Sequence, residues 1–340
     1  MNQQIFDFNY PSVLVPTSTW GIADSTKLNA AQSCQRRYFY EFVLGWRPDR
    51  TDIHLKFGQA FHLGMEHLIE NHGTMRDNKT LAEAFEKFYH CYREEFSFED
   101  DAKNSPKDPL GADKAFRDYA LVYGDEPYKV LYTEVAGSAP LDAQRAIHFK
   151  LDAVCEDSDG IYCLEHKTAS QDSAAWAAQW RLAIQPATYV HVLYCLYDKA
   201  KVFGCKINGV LFRKSDMTAK DPFARFKRVP IRKSVTQMQV WQWNVLNLIK
   251  SLEFSYKELS KATPDDSIMQ AFPMNTKSCT DYNRPCPYLD FCDAWPNPLA
   301  RCESPPPGFK IEHWDPRKNE ETAKFVMRDN QLTEKGTAIV

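Results

Sequence analysis

At 340 residues, with 44% apolar and 26% charged side chains, the chain is long enough for one or two substantial cores and has the composition of a soluble globular protein. A formal charge of −3 excludes a uniformly basic nucleic-acid binder, so any phosphate contact must come from a local cationic track. No apolar run approaches a membrane span, and Met1-Asn2-Gln3-Gln4-Ile5-Phe6-Asp7 lacks the basic and apolar regions of a secretory signal, which makes a cytoplasmic location the expectation.

In chain order, residues 1–24 are expected to lie over the body as an N-terminal extension, 25–300 to form the main domain and 301–340 a tail. A helix opens at Ser25-Thr26 and runs toward Tyr40; it carries Cys34, then Arg36-Arg37 and three aromatics. The spacing of Phe57, Phe61, Met65, Leu68 and Ile69 predicts a helix over 55–70, with His62 and Glu66 four apart on a neighbouring face. A single histidine on a helix is more often structural than a ligand. Residues 80–96 read as an amphipathic helix, 100–113 as a polar loop holding two prolines, and 113–123 as a short helix. Val130–Val135 is a strand whose Glu134 either reaches an acidic patch or stays exposed.

Two runs of β-formers, 147–155 and 161–168, flank Glu156-Asp157-Ser158-Asp159-Gly160, which is a hairpin signal. Alternation puts Glu165 and Lys167 on one face, and Asp152 can sit beside them on the partner strand. Two carboxylates hold a hard cation such as Mg²⁺, which polarises a phosphoryl oxygen and activates water, while a lysine steadies developing charge. A hairpin with charges on its wet face has the same signature, so the neighbours must decide.

A long helix follows over 174–197, with a kink or break near 183–185 imposed by Pro186; Gln185 and Tyr189 share one of its faces. Residues 202–212 form another strand, and 235–261 a long helix. Strands alternating with helices make this an α/β chain, and no internal repeat is present. Among the basic runs (Arg36-Arg37, Arg213-Lys214, and Arg225-Phe226-Lys227-Arg228 with Arg232-Lys233), the third is the preferred strand contact because Phe223 and Phe226 interleave with it. Each could equally be a solvated face.

Ten cysteines in a cytosolic chain argue against a disulfide framework, and Cys91, Cys155, Cys163, Cys195 and Cys205 read as small buried hydrophobes. Cys279-x6-Cys286-x5-Cys292 is different, because three thiols in a loop-rich span are metal-ligand chemistry. A fourth ligand is needed for a [4Fe–4S] cluster or a zinc ion; Cys302 is near and Cys34 is distant in sequence. Beyond Ser304 the chain is proline-rich and then charged, and its last twenty or so residues are expected to be disordered.

Taken in order, Cys34-x-x-Arg37-Tyr38-Phe39-Tyr40, Gly58-x-x-x-His62, Asp152, Glu165-x-Lys167, Gln185-x-x-x-Tyr189 and the cysteine trio resemble the RecB-type nucleases of the PD-(D/E)XK superfamily. The closer likeness is to the iron–sulfur branch, which includes the AddB nuclease domain, CRISPR-associated RecB-like exonucleases and similar phage proteins. The resemblance implies a restriction-endonuclease-like α/β core, a central mixed sheet flanked by helices, with the N- and C-terminal segments joined by a metal cluster. It implies that His62, Asp152, Glu165 and the His166 carbonyl ligate Mg²⁺ or Mn²⁺, that Lys167 is catalytic, and that Gln185 and Tyr189 border the active site. It further implies that Cys34, Cys279, Cys286 and Cys292 hold a [4Fe–4S] cluster, with zinc as the alternative. One departure is the first gap of the trio, six residues where better-known members have two; Cys302 is the reserve ligand.

The expected function is therefore a metal-dependent DNA exonuclease acting on DNA ends or single strands, in recombination, repair or phage DNA metabolism. Phosphate contacts are expected from Arg37, Arg225, Lys227 and Arg228. The alternatives are a DNA-end-binding accessory subunit whose nuclease site is not limiting, and a zinc-stabilised structural protein. No helicase P-loop is visible, so unwinding would come from a helicase or recombination partner.

Overall fold

The computed structural model describes residues 5, 7–171, 173–218 and 220–336, so the outermost four residues of the expected extension and of the expected tail lie outside the described residues. Strand β1 (Ala23–Asp24) leads into α1 (Ser25–Ser33), whose cap is Asp24 accepting from the Lys27 N–H rather than a Ser or Thr. The helix expected to reach Tyr40 breaks at Cys34, whose extended backbone (φ −162°, ψ 118°) separates α1 from α2 (Gln35–Tyr38). A π-helical turn over Phe39–Val43 and strand β2 (Trp46–Pro48) follow.

Helix α3 (Ile53–Glu70) buries the stripe read from the sequence, and α4 (Asn78–Arg93) its own apolar face. The polar stretch 100–113 is not the expected loop. Ser97 and Asp100 form a capping box that starts α5 (Phe98–Asn104), and Asp108 caps α6 (Pro109–Tyr123), with Pro109 in the first turn where no N–H is needed. Next come β3 (Lys129–Pro140), then β4 (Ala146–Asp157) and β5 (Gly160–Ala169), the predicted hairpin, closed at Asp157↔Gly160 with Gly160 at φ 124°. The long helix expected afterwards is two, α7 (Ala174–Gln179) and α8 (Ile184–Leu196); Pro186 falls in the first turn of α8.

Strand β6 (Val202–Leu211) comes next, and the basic stretch forms strand β7 (Phe226–Ile231). Then come α9 (Val235–Leu259), α10 (Leu289–Ala294), β8 (Phe309–Ile311), α11 (Asn319–Thr322), β9 (Phe325–Arg328) and β10 (Gln331–Glu334). The expectation of disorder over the last twenty or so residues is therefore corrected as far as Glu334. Phe325, Val326 and Met327 pair in parallel with Val135–Gly137, so β3 supplies the partner that the short run lacks alone.

The chain divides into two compact units. One comprises residues up to Arg50, Ser138–Phe149 and Val235–Asn319. Its core is aromatic: Tyr38, Phe39, Trp46, Tyr256, Phe272 and Tyr288 are all buried, and Arg145 braces α9 through Glu253 at 2.8 and 3.0 Å. The other comprises Thr51–Gly137, Lys150–Ser234 and residues from Glu320 onward. Here the sheet order is β10-β9-β3-β4-β5-β6-β7, with β4–β5 and β6–β7 antiparallel and β5–β6 parallel. Helices α3, α4 and α6 bury Phe57, Phe61, Phe88 and Phe116 in one cluster with Ala153, Cys155, Tyr162 and Leu164 of the sheet. The fold is α/β, with a mixed sheet flanked by helices, as expected. Cys91, Cys155, Cys163 and Cys205 are buried, whereas Cys195 is only half-buried. Among the described residues no helix is long and apolar enough to cross a membrane.

Candidate functional site

The β4–β5 ladder runs from Asp157↔Gly160 to Ala153↔Leu164 and stops. One residue further, a side chain replaces the strand: Asp152 Oδ2 accepts the backbone N–H of His166 at 2.9 Å. His62, on α3, brings its Nδ1 to 3.1 Å from Asp152 Oδ1, and the His166 ring Nδ1 lies 3.5 Å from Oδ2. On β5, Lys167 donates to Glu165 Oε1 at 2.6 Å. The second oxygen of Glu165 is buried and has no partner among the described residues. Four groups separated by as much as 105 positions, from His62 to Lys167, thus meet at one end of the hairpin.

The electrostatics follow from burial and crowding. Burial works against the charge of Asp152, but His62 and His166 hold its carboxyl well below the usual range. Burial first, and then the Asp152 carboxylate, push Glu165 up to about 7 against the pull of Lys167 and His62. Burial disfavours protonated His62, yet Asp152 and Glu165 raise its pKa. Burial lowers the pKa of His166, while Lys167, desolvated as well, is raised by Glu165 and stays an ammonium.

Gln185 and Tyr189 form a brace. Gln185 Nε2 donates to the Tyr189 hydroxyl at 2.8 Å, and that hydroxyl donates to the Lys150 carbonyl at 2.7 Å, two residues before Asp152. Tyr189 is buried and its hydroxyl is spent on β4, so the pair positions the strand. Glu134 reaches the acidic patch rather than lying exposed. Burial and the Asp152 carboxylate push it up to about 7, and it pairs with Lys150 at 2.7 Å from a left-handed backbone (φ 49°) that a glutamate rarely adopts.

Two of the four expected phosphate contacts, Arg225 and Arg228, are engaged inside the fold. Arg225 is buried, paired with Asp118 at 3.1 Å and bonded to the Asp216 carbonyl at 3.0 Å. Arg228 is mostly buried, pairs with Glu126 and lies 4.0 Å from the Tyr123 ring centroid. Both are held inside the fold by acids and aromatics from α6 and the segment after it. Lys227 is half-buried on β7, and Phe223 is exposed. Arg37 is paired with Glu41 at 3.0 Å and lines the cleft described next.

Cys34, Cys279, Cys286 and Cys292 line one cleft in the other unit, with Asn275 and Ser278. The break after α1 lets the two chain segments interlock: the Asn275 N–H donates to Cys34 Sγ at 3.3 Å, and the Asn275 and Ser278 side chains donate to the Ser33 carbonyl at 2.8 and 2.9 Å. The six-residue gap is taken up by a 3₁₀ turn over Thr276–Asn283, closed by the Cys286 N–H on the Cys279 carbonyl at 2.8 Å. Burial, and after it the neighbouring thiols against the pull of Arg36, push Cys292 up to about 11. Cys302 does not line the cleft; it is buried with its Sγ 3.4 Å from the Leu299 carbonyl.

Neither set is a finished coordination shell: among the described residues no group of three or more His, Cys, Asp or Glu side chains is disposed to hold a metal ion. The carboxylates bond to His62 and Lys167. The donor chemistry still suits an ion in each place, hard oxygens with an orphaned Glu165 Oε2 in one and four sulfurs around a single cleft in the other.

Asn208 is not among the expected site residues. It neighbours His166 in the β5–β6 register, is fully buried, and has neither amide atom bonded to another described residue. His166 Nε2 and the Tyr119 hydroxyl are likewise unpartnered, with the two rings 5.8 Å apart. The available signal was a lone asparagine inside an apolar strand.

Residues 25–293 match the family model of the PD-(D/E)XK nuclease superfamily, well over half of the chain. No curated protein matches the sequence.

Proposed function

Because the chain belongs to the PD-(D/E)XK nuclease superfamily, we propose that it is a RecB-type, metal-dependent deoxyribonuclease that hydrolyses phosphodiester bonds from DNA ends. Recombination, repair or phage DNA metabolism is the setting the reading favours, with a helicase or recombination protein supplying unwound strands. The observation that carries it is the Lys167–Glu165 pair at 2.6 Å beside an Asp152 held by His62 at 3.1 Å.

Asp152, Glu165 and His62 would hold Mg²⁺ or Mn²⁺, with the His166 carbonyl completing the set. The ion, when bound, supplies Lewis-acid polarisation of the phosphoryl group and of water. Asp152 is already ionised and fixed by the His166 N–H, so its oxygen is preorganised. Glu165 must give up a proton to bind, and His62 must be neutral. Lys167, kept protonated by Glu165, acts as a donor that orients the attacking water and steadies charge on the phosphoryl oxygens, not as a base. Gln185 and Tyr189 hold β4 in place. The four cysteines are assigned to a [4Fe–4S] cluster that clips Cys34 to the 279–292 segment, with zinc as the alternative.

The test is digestion of end-labelled linear DNA by the purified protein with Mn²⁺, against Lys167→Ala. Cleavage lost in the variant supports the reading; equal cleavage by both removes Lys167 from the chemistry. Wild-type protein that binds ends without cutting them is the accessory subunit instead.

A further inference from the structure

Helix α7 stands close to a reactive group, yet none of its residues is buried. Trp176 holds it to the sheet. A Cβ on Gly209 would lie 2.2 Å from Trp176 Cη2, so the indole occupies the space that glycine leaves. Gly209 is the β6 neighbour of Lys167. One turn further, Trp180 meets Trp176 edge-on with centroids 5.8 Å apart, and its ring centroid lies 5.9 Å from Lys167 Nζ. The Trp180 indole N–H has no partner among the described residues, and Leu182 just beyond is 88% exposed.

Two half-buried indoles, one on an unburied helix and one at its C-cap, are a poor way to stabilise a fold, because their apolar area is only partly removed from water. They are a good way to present π-faces beside an ammonium. We propose that Trp180, braced through Trp176 against Gly209, is a stacking platform for the base next to the phosphate that meets Lys167. The inference rests on the reading of Lys167 as the residue that meets the phosphate. Every base has a π-face, so the platform tolerates sequence. In a duplex those faces are already stacked on one another, so a paired strand gains nothing from it.

The test uses the whole protein with Ca²⁺ in place of the catalytic ion, and follows by fluorescence anisotropy the binding of a short thymidine oligomer and an abasic deoxyribose-phosphate oligomer of the same length. Trp180→Ala is expected to weaken the thymidine oligomer about tenfold and the abasic one by less than about twofold. Trp180→Phe keeps an aromatic face and is expected to lose less, again only on the thymidine oligomer; it carries the test should the alanine variant melt early. Equal losses on both oligomers, or no loss on either, overturn the platform. The premise is read separately: Lys167→Ala cleaving like wild type with Mn²⁺ removes it, whereas the contrast between oligomers needs no cleavage.

Discussion

The carboxylate–lysine site and the thiol cleft solve opposite problems. The first gathers formal charges under cover and compensates them internally, Asp152 by His62 and His166, Glu165 by Lys167. An ion entering there must compete with proton and ammonium. The second gathers four thiols, and burial raises the pKa of two of them, Cys286 and Cys292, the latter to about 11. The backbone around that cleft is interlocked by Asn275 and Ser278 around Ser33. On the proposed function, an ion in the first site would be exchanged during turnover, whereas one held by the four thiols would tie Cys34 to the 279–292 segment.

Breaking each side separates them. Asp152→Asn is expected to lower cleavage by about 10³-fold while leaving the thermal midpoint within a few degrees, measured by single-turnover digestion and calorimetry. Cys292→Ser should do the reverse. Visible-blue absorption disappears and the midpoint falls by about 10 °C, while the folded fraction still cuts DNA. A colourless wild-type protein carrying stoichiometric zinc would change the ion in the cleft but not the contrast.

Proton competition distinguishes the two sites further. With Glu165 near 7 in the metal-free protein, its carboxylate takes up a proton as pH falls through that value, and metal must displace it. Mn²⁺ affinity by calorimetry should therefore rise between pH 6 and 7, and protons should be released on binding by both Glu165 and His62, whose pKa is raised as well, with the number released falling as pH climbs. A flat profile would mean that Glu165 is not a ligand. The smallest effect is expected from Tyr189→Phe, which strands the Lys150 carbonyl and costs about 1–2 kcal/mol of stability. Cleavage should drop less than in Asp152→Asn, because β4 loosens without losing a ligand.

Local pattern made much of this legible. The hairpin and the α3 stripe are periodic, so alternation and 3.6-residue spacing were enough. His62 and Asp152 lie 90 positions apart, and only the order of the whole motif set brought them together. Two members of the basic run were misleading for the converse reason: Arg225 and Arg228 look free in sequence, but Asp118 and Glu126, far away in the chain, pair with them. The 100–113 stretch hid its helices because Asp100 and Asp108 act as caps, a role that polar composition disguises. Strand β9 is too short to declare itself without β3. The platform at Trp180 was invisible because it depends on a glycine in another strand.

The most direct measurement is anomalous diffraction from crystals of the protein soaked in Mn²⁺. One peak is expected, with Asp152, Glu165 and His62 donors each at roughly 2.2 Å and Lys167 adjacent but not coordinating. A peak elsewhere, or no peak with Glu165 still bonded to Lys167, would contradict it.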